Sequence, residues 1–212
     1  MKLQKIGGIG SIGTAILVVI MLVIVLIVSP RLGLVGPSDL LDPVKSLDAR
    51  SASPISFFIQ NLVTLLFSIA YILIVLALRE RMQASAPNLM RVVVIAVSVT
   101  CALWLATGSI GIFGMPSIVP AEDASAFRAA NAMYFSLGFA GDSAAGWVLL
   151  LIGWAALKTR GLPRILSYFS VLKAIVMILE VAVQPFTLML IGLLLGIIFY
   201  PWLGIVLLRS KS

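Results

Sequence analysis

Apolar residues run along this chain in long stretches, without the in–out alternation of a barrel strand. The first covers roughly Ile12 to Val28, after Lys2 and Lys5. A secretory leader also has a basic start and an apolar middle. This run exceeds the roughly 7–15 residues of a leader core and no A-x-A pattern follows it, so it reads as a retained helix. The second run is roughly Ile55 to Leu78, closed by Arg79-Glu80-Arg81. The third is roughly Val92 to Phe113, ending before Gly114-Met115-Pro116. The fourth ends at Leu157. Its start is less sharp, because Pro120-Ala121-Glu122-Asp123 resembles a helix beginning, with proline and acids in the first turn. That helix is expected to begin outside a bilayer and to enter it near Tyr134. The fifth run is roughly Ile165 to Val183, broken at Gln184-Pro185, and the sixth is roughly Phe186 to Leu208. Each approaches the roughly 20 residues that cross a hydrocarbon core. Helices are the spanning form such runs can take, since every backbone group must be satisfied inside the segment.

The pattern predicts an all-α fold, a polytopic transmembrane bundle of about six helices. The longest connection, roughly Pro30 to Pro54, holds Ser38-Asp39-Leu40-Leu41-Asp42-Pro43-Val44, which suits a short interfacial helix capped by Ser38. It could dock a partner or serve simply as a solvated connector, and the connector is the commoner case. No soluble domain, low-complexity tract or repeat is visible, so residues 1–212 read as a single transmembrane helical domain.

Composition agrees with the pattern. The chain is 61% hydrophobic and 11% charged, against roughly 25% charged in soluble domains, and its mean hydropathy is +1.17. The net charge of +7 would suggest nucleic acid in a soluble protein. Here the basic residues stand at the ends of apolar runs, and no basic patch carries interleaved aromatics, so nucleic acid is not an expected partner. One side collects Lys2, Lys5, Arg79, Arg81, Arg91, Lys158, Arg160, Arg164, Arg209 and Lys211 on short loops. The other holds Arg31, Lys45, Arg50 and Arg128. The positive-inside rule makes the first side cytoplasmic, with both termini there, as an even helix count also requires. The acids Asp39, Asp42, Asp48, Glu122 and Asp123 fall on the outer side.

Two absences narrow the chemistry. There is no histidine, which excludes histidine-ligated haem, the usual zinc-protease motifs and any Ser–His or Cys–His catalytic pair. The single cysteine, Cys101, lies in an apolar run and reads as a small buried residue. No metal or other cofactor is expected.

Three ionisable residues fall inside the predicted spans: Asp142, Lys173 and Glu180. A charge at mid-membrane costs at least about 2.5 kcal/mol, so such residues face the bundle interior and are functional candidates by default. Lys173 lies roughly 12 Å into the fifth helix. Glu180, seven residues on, shares its face, about 6 Å below the outer surface. Asp142 is in the outer half of the fourth helix or near its middle. The expected arrangement pairs Asp142 with Lys173, with Glu180 nearer the outer mouth. The competing reading is a structural ion pair locking the two helices, and Glu180 snorkelling to the interface. Gly141-Asp142-Ser143 has the look of a hydrolase nucleophile segment, but without histidine only a Ser143–Lys173 dyad remains chemically open. Gly138, Asp142 and Gly146 share one face, and Gly192 and Gly196 form a GxxxG read as packing within the bundle. Gln60 and Asn61 could line a polar entry or bond neighbouring helices. Trp104, Trp147 and Trp154 read as anchors or packing elements.

The segment Trp154-Ala-Ala-Leu-Lys-Thr-Arg-Gly-Leu-Pro163-Arg-Ile-Leu-Ser, with its basic turn Arg160-Gly161-Leu162-Pro163-Arg164, resembles a signature of an uncharacterised bacterial family of six-helix integral membrane proteins that carry a domain of unknown function. The resemblance implies a six-helix topology and a bacterial inner membrane, that is, a multi-pass protein of the cytoplasmic membrane. It carries no functional residues. Three function classes follow from the residues: a small transporter or permease-like bundle using Asp142, Lys173 and Glu180; a structural or accessory subunit of a larger membrane complex; and a membrane enzyme acting on a lipid-like substrate. The poor catalytic inventory favours a non-enzyme. The expected partners are the lipid bilayer and other membrane proteins or further copies of the chain.

Overall fold

The computed structural model describes residues 3–119, 124–183 and 186–209. The described residues contain no strand. Six helices are long and apolar enough to cross a membrane. We label the helices α1 (Leu3–Arg31), α2 (Pro37–Leu41), α3 (Pro43–Ala52), α4 (Pro54–Met82), α5 (Pro87–Ile118), α6 (Ala124–Thr159), α7 (Arg164–Val183) and α8 (Phe186–Leu208). The spans are α1 and α4 to α8; α2 and α3 fold the long connection.

Each span packs on the next in the chain, and α8 packs back on α1, so the six close into a ring. Small residues allow the close approaches. A methyl group built on Gly204 would lie 3.0 Å from the Gly8 carbonyl oxygen, so α1 and α8 meet backbone to backbone. Ser11 Oγ adds a hydrogen bond to the Tyr200 carbonyl at 2.6 Å. Between α6 and α7 the same task falls to Gly146 and Gly153, whose added methyls would press on Ile178 and Val171. Ser170 Oγ donates to the Leu149 carbonyl there at 2.8 Å. In lipid, where apolar burial between helices supplies little driving force, close packing and hydrogen bonds of this kind hold a bundle together. Large apolar side chains such as Ile16, Ile69, Ile95, Trp154, Ile175 and Ile198 stay exposed around the outside, as a lipid-facing belt requires.

Gly8 and Gly204 lie near the start of α1 and the end of α8, so both chain ends share one end of the bundle, here called the terminal end. The α6–α7 turn is at that end too. Arg160 adopts φ 53°, Thr159 Oγ1 accepts from the Gly161 N–H at 3.2 Å, and Leu162 is buried. Gly161 lies so close to Met82 that a methyl there would come within 2.5 Å of its Cγ. The basic turn is therefore fitted to the end of α4.

Several boundaries differ from expectation. The first helix begins at Leu3 rather than Ile12 and continues to Arg31. The third runs on through Gly114-Met115-Pro116 to Ile118. In both, a π-helical turn precedes the proline: Ile24–Val28 before Pro30, and Ile110–Gly114 before Pro116. A proline ring in a regular helix strikes the carbonyl four residues back. Those carbonyls belong to Leu26 and Ile112, in the middle of the widened turns, which relieves the clash.

The long connection is helical where a short helix was expected, but Ser38 is not its cap. It forms two helices. Asp39 Oδ2 accepts from the Val35 and Gly36 N–H groups ahead of α2, and Asp42 caps α3 by accepting from Val44 and Lys45. Asp39 also pairs with Lys45. Helix α3 then buries Ser46, Ala49 and Arg50 against the bundle. The expected helix start at Pro120, Glu122 and Asp123, the break at Gln184-Pro185, and the terminal Lys2 and Lys211 lie outside the described residues.

Candidate functional site

The 36 residues of α6 extend about 54 Å at the α-helical rise, far beyond a hydrocarbon core of about 30 Å. The excess stands at the α3 end, where Phe127 and Tyr134 pack with Met115. Asp142 is seventeen residues before the end of α6, and Glu180 is sixteen after the start of α7. Because the two helices are antiparallel neighbours, both carboxylates sit at about the same height, about 25 Å from the turn that joins them. Lys173 is two helical turns nearer the terminal end on the Glu180 face.

The three charges are near enough to act on one another electrostatically, but the expected Asp142–Lys173 pair is not formed. Among the described residues the ion pair within 4.0 Å is Lys45–Asp39. Asp142 Oδ1 instead accepts from the indole N–H of Trp104 on α5 at 2.9 Å. Lys173 Nζ donates to the Gly192 carbonyl on α8 at 2.8 Å and lies 5.7 Å from the centre of the Tyr200 ring. Depth had suggested the pairing; Lys173 turns instead to α8, which glycine thins there, and Asp142 to Trp104 on α5, beside Gly141 of its own helix. A methyl on Gly196 would lie 3.5 Å from Lys173 Nζ, and one on Gly192 would lie 3.5 Å from Glu180 Oε2. The GxxxG of α8 thus faces inward and makes room for charge. Gly141 does the same for the Trp104 indole: its added methyl would come within 2.6 Å of Cδ1. No hydrogen bond joins Ser143 to Lys173, whose ammonium is given to Gly192, so the dyad has no geometric support.

Burial differs among the three. Lys173 is 5% exposed, whereas Asp142 and Glu180 are partly accessible. Towards the terminal end the ring is filled. Phe67 on α4 stacks edge-on against both Trp104 and Tyr200, with centroids 5.1 Å and 5.8 Å away. Tyr71 lies 5.5 Å from Trp104 and reaches the Ala145 carbonyl at 3.4 Å. Beyond this plug come Ile74, Leu78, Val97, Ile152 and Leu203, all buried.

No family model, curated protein or solved structure matches this chain. The site is therefore read from its own geometry. Trp104, Tyr200 and Gly192 were not singled out as parts of it by sequence. A signal existed for Trp104: a buried indole N–H needs an acceptor, and an intramembrane carboxylate is the strongest one on offer. Asn61 is fully buried and donates to the Phe57 carbonyl of its own helix at 2.7 Å, while its Oδ1 rests on Gly111 in the α5 π turn without a hydrogen bond. Gln60 is half-buried. Among the described residues no cluster of His, Cys, Asp and Glu could hold a metal ion.

Proposed function

We propose that this chain is a small transporter of the permease type, moving a cation or protons through the middle of its helix ring. One observation carries the reading: two half-buried acidic residues and a buried lysine lie within one closed ring of helices, and neither acid is tied to the lysine by an ion pair. A structural ion pair would be closed and fully matched. An open arrangement leaves Asp142 and Glu180 able to take up a proton or attract a cation. Lys173, seated on the aromatic plug, repels a cation that would pass further until the plug rearranges. Intramembrane acids and lysines in such settings mark ion pathways.

Charge on the connecting segments supports a cytoplasmic terminal end, since Arg79, Arg81, Arg91, Lys158, Arg160 and Arg164 gather there. The site then opens to the outside. The Arg160–Arg164 turn, with its likeness to the bacterial six-helix family, supports a bacterial cytoplasmic membrane.

The test is flux in sealed proteoliposomes holding a pH-sensitive dye, driven by a pH step and then by a sodium or potassium gradient. Wild-type protein is expected to pass current, and Asp142→Asn and Glu180→Gln are expected to lose it at least tenfold while eluting as folded protein. Unchanged flux in both variants, or wild-type vesicles as tight as empty ones, contradicts the reading.

A further inference from the structure

At the α3 end, α2, α3 and α6 enclose a groove of about 320 Å³, bounded by Leu41 and Pro43 on one side and by Arg128, Asn131, Phe135 and Phe139 of α6 on the other. This volume falls at the lower end of small-molecule sites. The α6 residues lie three or four apart, so they form one stripe along the helix. Their order is the informative feature. The outermost is an exposed cation, Arg128; next comes an amide, Asn131; the innermost are two phenyl rings. Over about 16 Å the stripe passes from charged to polar to apolar.

The surroundings add positive potential. Arg50 on α3 is 5% exposed, and its Nε has no hydrogen-bond partner. Its guanidinium lies 4.4 Å from the Phe57 ring centre and 5.2 Å from that of Tyr134, on the same stretch of α6. Ser46, one turn earlier on α3, donates to Asn131 Oδ1 at 3.4 Å, so the remaining group of that amide is a donor. Of the described acids on α2 and α3, Asp39 is engaged by Lys45 and Asp42 by the N-terminus of α3, while Asp48 is exposed. Val35, Leu41 and Val44 are 64%, 41% and 60% exposed, which suits an element lying in the membrane interface.

The geometry points to an anionic phospholipid as the occupant of this groove, its phosphate held at Arg128 and Asn131 and the start of its acyl chain lying along Phe135 and Phe139. The polarity gradient matches such a lipid end for end. The site is separate from Asp142, which turns away to Trp104, and it does not depend on the transport reading.

Native mass spectrometry of the full chain in mild detergent, incubated with phosphatidylglycerol or phosphatidylcholine, reads the retained lipid directly. Phosphatidylglycerol should be retained about fivefold better, the effect of roughly one arginine at a membrane surface. Arg128→Gln should abolish the preference. Ala132→Trp, which fills the groove from an exposed lining position, should reduce retention of both lipids; Ser136→Trp, at another exposed lining position, repeats the test should the first variant not fold. Equal retention of the two lipids by wild-type protein, or an Arg128→Gln variant that keeps the preference, overturns recognition of the headgroup. Full retention in a folded tryptophan variant overturns the site. Displacement of phosphatidylglycerol by excess inorganic phosphate overturns the lipid as occupant, because the groove would then be reading a free anion.

Discussion

The Trp104 indole is the single direct donor to Asp142 among the described residues, and it reaches the carboxylate because Gly141 leaves space beside it. Trp104→Phe keeps the ring and removes the donor. A hydrogen bond to a charged group contributes about 1.5–3 kcal/mol net of its exchange with water, so thermal unfolding in detergent should show a loss of stability. An unchanged melting temperature would mean that water already satisfies Asp142. On the surface of α2 and α3, hydrogen bonding to Lys45 holds the Asp39 carboxyl below the usual carboxylate range, and Asp39 raises the lysine in turn. The signs agree: the Asp39 contribution is present above its unfolded pKa and is lost as pH falls through the folded one. The Lys45 contribution is present below its unfolded pKa and is lost as pH rises through the folded one. The Asp39–Lys45 link should therefore hold across the neutral range and open at acid pH, which proteolysis of residues 32–45 between neutral and acid pH can follow. Lys45 is exposed and Asp39 partly so, and the effect is local.

At the level of elements, the ring depends on a few helix crossings where backbone meets backbone. Gly153→Leu and Gly204→Leu force side chains against Val171 and the Ser167 carbonyl, and against Ile12 and the Gly8 carbonyl. Overpacking of this kind costs about 1–3 kcal/mol, and both variants should melt well below wild type. Gly13 is the control: nothing lies within 4 Å of a methyl placed there. Gly13→Ala should be neutral or gain up to about 1 kcal/mol from helix propensity. If Gly13→Ala destabilises as much as Gly204→Leu, the packing description of α1 is wrong. The six spans were legible because unbroken apolar runs announce themselves. The extensions of α1 and α5 were not, since a proline normally marks a stop; only a π turn, invisible in the residue pattern, lets the helix continue past Pro30 and Pro116. Closure of α8 on α1 was equally hidden, because Gly8 and Gly204 are distant in sequence and each alone is an ordinary membrane-helix glycine.

For the whole molecule, Asp142, Lys173 and Glu180 stood out as rare charges in apolar runs, and they lie near enough to influence one another. Their partners were not readable. Height along a helix can be counted from the loops, but the choice of neighbour depends on rotation and on which facing helix is thin. Gly192 made the α8 carbonyl, rather than Asp142, the target of Lys173. The result is a bundle with two unlike halves: one towards the terminal end, filled by Phe67, Tyr71, Trp104 and Tyr200, and one towards α3 where Asp142 and Glu180 are half-buried.

Whether water reaches that second half decides the account. In a Cys101→Ala background, which removes the one native thiol, Asp142→Cys and Ile152→Cys are reconstituted and challenged with a membrane-impermeant thiol reagent from each side in turn. The account predicts that the thiol at position 142 is modified from the α3 side alone and that the thiol at 152, beyond the aromatic plug, is modified from neither. A thiol at 142 inert from both sides would contradict it, making the three charges a sealed structural cluster.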